Sequence, residues 1–171
     1  MTASSTAQLA VIPPDWREVT AVPGFTATVK LAASETGGIS IVEHRFDPGV
    51  LVPPHRHTRE DEISCVISGE IGFRSDGREV SLGAGGYIVK PRGELHSMWN
   101  AGSEPARMIE IVTPAGFEKY FIELAQATAA AGGRPDPSVL APIAERFGLS
   151  FDFTEVPDIV ARHGLRPFPL R

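Results

Sequence analysis

The sequence predicts a mainly β fold, an antiparallel sandwich or barrel, closed off by a short C-terminal helical extension. Three observations carry this. From Thr26 to Thr113 short apolar or alternating runs (TATVKLA, GISIVEHRF, EISCVIS, EIGFRS, REVSL, GYIVK, HSMWN, RMIEIVT) are separated by clusters of Gly, Pro, Asp, Asn and Ser, the spacing of an all-β domain. Gly and Pro number 17 and 15 in 171 residues, about 19% against a usual ~12%, and favour a turn-rich chain over a helix bundle. After Pro114 the alternation stops and helical spacing begins.

Residues 1–8 are small and polar and read as a flexible N-terminus, residues 9–114 as the β domain, and residues 115–171 as a helical extension packed on it. Within the β domain, Asp76-Gly77 lies between two strand-like runs. Both residue types tolerate positive φ, as a tight hairpin turn demands. In the extension, Phe117, Phe121, Leu124, Ala125 and Thr128 recur at helical spacing before Gly132-Gly133 stops the run. A second helix is predicted with Ser138 as its cap and Pro142 in its first turn. Val139, Leu140, Ile143 and Phe147 share one face of it, and Gly148 ends it. From Pro157 onward a short helical turn and then Pro-containing coil are expected.

Apolar residues at 42% and charged residues at 22% describe an ordinary globular domain, and the length fits a single one. A net charge of -5 provides no basic field for nucleic acid or anionic lipid. The lone Cys65 needs no oxidising compartment, the N-terminus lacks the form of a secretory signal, and no run is long enough to span a membrane, so a cytoplasmic location is expected.

Chemistry concentrates at His55-Arg56-His57, after the extended Pro53-Pro54 pair. On a strand, positions i and i+2 project from one face, so both imidazoles point the same way. Glu62 follows five residues later, and His96 comes just after the turn at Gly93. Neutral imidazoles with one carboxylate form a borderline donor set suited to Fe, Ni, Mn, Cu or Zn. The stretch Gly49 to Gly69 resembles the first cupin motif: Gly, five residues, His-x-His, a short gap, Glu, six residues, Gly. The stretch Gly85 to Asn100 resembles the second: Gly, five residues, Pro91-x-Gly93, two residues, His96, three residues, Asn100.

The resemblance implies a cupin β-barrel (double-stranded β-helix, or jelly roll), with His55, His57, Glu62 and His96 as ligands to one divalent transition metal. One copy of each motif implies a small bacterial-type monocupin, a kind that is commonly a homodimer. The tail PAGFEKYF…IAERFGLSFDF is similar to that of quercetin-dioxygenase-like monocupins, although Ile63-Ser64-Cys65 stands where aromatic residues often follow the glutamate in that group. The implied activity is a dioxygenase-like oxidoreductase that cleaves a small organic substrate with O2, Glu62 assisting proton removal as the catalytic residue. A metal-assisted isomerase or decarboxylase that needs no O2, and a non-catalytic small-ligand binder, are the alternatives.

Strand parity places Met98 on the face of His96 and Asn100, as a pocket wall, and turns Trp99 to the other layer. Tyr87 is a candidate donor to a bound ligand. Cys65 is expected to be a small buried hydrophobe on the face opposite Glu62. His44 is read as an ordinary strand histidine, His163 as a surface residue, and Arg56, Arg59, Glu60 and Asp61 as a solvated loop.

Overall fold

A computed structural model of the protein describes residues 11–14, 18–133 and 135–167. The expected frayed end, residues 1–8, lies outside them. In chain order the elements are β1 (Glu18–Val22), β2 (Phe25–Leu31), α1 (Ala33–Thr36), β3 (Ser40–Phe46), β4 (Val50–His57), β5 (Asp61–Ser68), β6 (Glu70–Ser75), β7 (Arg78–Gly83), β8 (Tyr87–Lys90), β9 (His96–Asn100) and β10 (Ala106–Thr113). There follow α2 (Glu118–Ala130), α3 (Pro137–Arg146), β11 (Leu149–Phe151), α4 (Val156–His163) and β12 (Arg166–Pro167).

Two sheets form a jelly roll. One runs β1-β2-β3-β10-β5-β8 and the other β11-β4-β9-β6-β7, with β12 pairing in parallel with β4. Alternation along the first sheet sends Phe25, Ala27 and Val29 of β2, Val42 and Phe46 of β3, and Met108 and Val112 of β10 into the space between the sheets, all at 5% exposure or less. Ile71, Phe73 and Met98 meet them from the second sheet. Each of the Phe, Val, Ile and Met side chains among them contributes about 1.5–3 kcal/mol by leaving water.

The turn chemistry reads through as expected at Asp76-Gly77, where φ values of 46° and 72° form the two-residue hairpin between β6 and β7. The second helix differs in detail. Asp136 caps it, its carboxylate accepting Ser138 N–H at 2.8 Å, and Pro137 takes the first helical position, whose N–H would be unpaired anyway. The start therefore moves two residues upstream of the expected one, and Pro142 lies inside the helix rather than in its first turn.

The extension also holds more strand than the sequence pattern indicates. β11 pairs with the ligand-bearing end of β4 (Leu149↔His57, Phe151↔His55), and β12 pairs with its start. Helix α4 packs Ile159 with Leu51, Trp99 and Leu165 in a second apolar cluster behind the second sheet. His163 is exposed, as expected of a surface residue. Its ring packs on Trp99 at 4.6 Å and its Nε2 lies 3.1 Å from Glu79. No helix among the described residues is long and apolar enough to cross a membrane.

Trp99 packs flat over Gly72 on the neighbouring strand, where an added Cβ would lie 2.2 Å from the indole ring. Gly72→Ala must push this buried ring aside, so its urea midpoint should fall by the equivalent of about 1–3 kcal/mol. An unchanged midpoint would show that Trp99 is not held against this strand.

Candidate metal centre

His55 and His57 project inward from β4 while Arg56 between them is exposed, the alternation expected of a strand with one wet face. His96 opens β9, directly opposite His55 in register. Glu62 reaches them from β5 on the facing sheet. One ligand atom from each of the four side chains lies within 4.8 Å of all the others, and every one of the four residues is at most 5% exposed. The four side chains singled out in the sequence are therefore brought together around one point.

The hydrogen bonds aim the donors. His55 Nδ1–H donates to Pro53 O at 2.8 Å and His96 Nδ1–H to Glu94 O at 3.1 Å, which leaves both Nε2 lone pairs facing the cluster. His57 Nε2 lies 3.4 Å from Glu62 Oε1, and His96 Nε2 lies 3.1 Å from Glu62 Oε2. His96 Nε2 and Glu62 Oε2 are buried without a hydrogen-bond partner. Orphaned lone pairs converging in a closed space fit a single cation, and the mixed nitrogen and oxygen set fits a divalent transition metal.

Electrostatics keeps His55, His96 and Glu62 unprotonated. Burial, reinforced by His96 and His57, holds the His55 imidazole well below its ordinary value, and burial lowers His96 as well. Burial alone would raise Glu62, but Lys90, His57 and His96 outweigh it and hold the carboxyl well below the usual carboxylate range. Each group is thus in the form that binds metal at neutral pH.

Above the cluster lies a small cavity of about 50 Å³. Phe117, the residue before helix α2, and Phe121 and Leu124 of the helix cover it, and Met98 lines it as expected. Phe117 meets the His57 ring edge-on at 4.4 Å. Glu118, at the start of α2, anchors this cover by accepting Ala33 N–H at 3.1 Å and Gly116 N–H at 2.7 Å.

Tyr87 does not belong to the cavity. It pairs with Cys65 on the outer face of the first sheet and is 66% exposed, because parity on β8 sends Ile88 and Lys90 inward and Tyr87 and Val89 outward. Cys65 is half-buried on that face beside it rather than buried in the core. Asn100 clasps a loop instead of facing the cavity, donating to Phe46 O and Glu104 O. Glu60, expected in a solvated loop, is 7% exposed with its Oε2 at 3.7 Å from His57 Nδ1.

Missing from the sequence reading is a buried polar chain behind Glu62. Lys90 Nζ lies 3.1 Å from Glu62 Oε2 and donates to Glu110 Oε1. Glu110 also accepts from Ser64 Oγ at 3.0 Å and pairs with His44 Nε2 at 3.1 Å. The available signal was parity. In RMIEIVT, Glu110 shares the inward face with Met108 and Val112, a charged residue at a core position.

Residues 42–112 match the family described as the cupin domain. The match covers under half of the chain. It is 39% identical over 79 residues to germin-like protein subfamily T member 2 of Arabidopsis thaliana, covering 43% of this chain and 36% of that protein. It is 33% identical over 103 residues to oxalate oxidase 1 of Hordeum vulgare, covering 53% and 51% respectively. The chain therefore spans about a third to a half of the length of these relatives. Among solved structures, KdgF from Halomonas sp. superposes with a TM-score of 0.51 at 26% identity over 57% of this chain and 86% of that one. A predicted oxalate decarboxylase from Thermotoga maritima gives 0.55 at 21% identity, over 61% and 99%, a likeness of fold.

Acid should weaken the metal-free protein. Below about pH 6.5 an unfolded chain takes up protons on His55 and His96 that the folded chain resists, and below about pH 4.5 the same holds for Glu62, so stability present at neutral pH is lost as pH falls. The urea midpoint of chelator-treated protein should drop between about pH 7.5 and 5.5, and drop less in His55→Gln/His96→Gln. A flat wild-type profile would contradict this placement of the histidines.

Proposed function

We propose that this protein is a metal-dependent oxidoreductase that uses O2 to cleave a small anionic organic substrate. The observation that carries the reading is the closed three-histidine, one-carboxylate cluster beneath a cavity of about 50 Å³. That space is far below the ~300 Å³ or more of a drug-sized site. It supports a substrate of few heavy atoms over a multi-ring flavonoid. Similarity to oxalate oxidase 1 of Hordeum vulgare supports oxidation of a small carboxylate.

His55, His57 and His96 would hold the metal through nitrogen and Glu62 through a carboxylate oxygen. A bound ion would supply Lewis acidity and open positions for small ligands. A divalent ion in this cluster would present positive charge to the cavity and so favour an anionic ligand there. Glu62, ionised and at the cavity wall, is the group positioned to take a proton from a substrate hydroxyl or acid. Phe117, Phe121 and Leu124 exclude bulk water, which strengthens every charge interaction inside.

The test is oxygen uptake by metal-reconstituted protein against a panel of small carboxylates and hydroxy acids, with product analysis. Uptake in step with substrate loss is expected, reduced at least ~100-fold in His57→Ala, since truncating one ligand removes most of the metal and its transition-state stabilisation. Carbon dioxide release without oxygen uptake would overturn the oxidative reading.

A further inference from the structure

Among the described residues that line the cavity above the cluster, one polar side chain is uncommitted. His55, His57 and Glu62 belong to the cluster itself, and His44 and Glu110 pair with each other at 3.1 Å. Tyr120, in helix α2, also lines the cavity. It is 9% exposed, and its hydroxyl has no hydrogen-bond partner among the described residues. Other rings surround its own: it stacks on Phe117 at 5.1 Å and meets Phe121 and Phe147 edge-on at 5.5 and 6.0 Å. Phe117 in turn meets the His57 ring at 4.4 Å, so the phenol stands one ring away from the cluster. A buried hydroxyl left unpaired costs free energy, and a phenylalanine would pack in the same place without that cost.

We propose that Tyr120 is a ligand-binding residue whose hydroxyl donates a hydrogen bond to a small carboxylate held in the cavity. The inference rests on the reading of this cavity as a site for a small anion beside a metal, and adds to it a neutral donor on the helical cover. Burial pushes the Tyr120 phenol above its ordinary value, so the hydroxyl keeps its proton and is a donor throughout the neutral range. A carboxylate accepts through either oxygen, and outside the cluster and the pair of His44 with Glu110 no other lining side chain offers it a hydroxyl or amide proton. The neighbouring Phe117, Phe121, Leu124 and Phe151 are apolar, so a hydrogen bond made beside them is shielded from water and stronger than one at a surface. Tyr87, the other of the two tyrosines, is 66% exposed on the outer face of the first sheet and has no access to this space.

The test loads the wild type and Tyr120→Phe with Co(II) and titrates each with formate, the smallest carboxylate, followed by visible absorption, so that no turnover is needed. The substitution removes one oxygen and keeps the ring, so the packing on Phe117, Phe121 and Phe147 survives. Both proteins are expected to bind about one Co(II). The variant should bind formate at least ~10-fold more weakly, the loss expected for one hydrogen bond to a charged group, while its urea midpoint before metal is added equals or exceeds that of the wild type. Tyr87→Phe should match the wild type in every readout. A Tyr120→Phe protein with wild-type formate affinity, whether or not its midpoint falls, would overturn the role of Tyr120 while leaving the metal site intact. A wild type that binds Co(II) but not formate would also overturn it. Failure of the wild type to bind Co(II) would instead overturn the metal reading and this inference with it. Should Tyr120→Phe not fold, wild-type protein loaded with Zn(II) and labelled with carbon-13 at tyrosine Cζ decides the matter. Formate should shift the Tyr120 resonance, the one that persists in Tyr87→Phe, and a Tyr120 resonance indifferent to formate would overturn the proposal.

Discussion

A carboxylate ionised out of reach of water organises this molecule. Isolated in an apolar interior, a charge like that of Glu62 would be neutralised or would unfold its surroundings, since stripping its hydration costs several kcal/mol. Here the Lys90 ammonium lies 3.1 Å from it, and three imidazoles converge with it on one point. The ammonium stabilises the anion, and the arrangement also demands that two sheets, four strands and a helical cover meet at one point. Much of the fold can be read as the means of meeting that demand.

The second sheet brings two histidines on β4 and one on β9 to a common face, and β11, from the far end of the chain, braces β4 at His55 and His57. The first sheet supplies Glu62, Lys90, Ser64, Glu110 and His44 from four strands in register. Helix α2 closes the space above them, anchored by Glu118 and packed through Phe117 on His57. A centre shielded in this way has a low effective dielectric, so the few polar groups that line it act more strongly than they would at a surface.

The legible part of this was local. His55, His57, Glu62 and His96 stand out because strand parity and turn residues fix their direction within a few positions, and the hairpin at Asp76-Gly77 is written into two residues. What escaped depends on partners distant in sequence. Lys90 reads as the last residue of a strand before Pro91, and Glu110 as one charge among several. Only the register of β8, β5 and β10 shows that both point inward at the same gap. Tyr87 was misplaced for the related reason that a one-residue difference of parity separates the cavity from the outer face, and nothing local fixes it. The strands of the extension were hidden by their brevity, three residues and two, too short for an alternation to declare itself.

The central claim is that four side chains from both sheets form a single closed cation site. Elemental analysis of purified protein after equilibration with a divalent transition metal and gel filtration, beside the His96→Ala variant, tests it most directly. The account predicts close to one metal ion per chain in the wild type and a small fraction of that in the variant, with both proteins folded. Equal metal content in the two proteins, or none in a folded wild type, would contradict it.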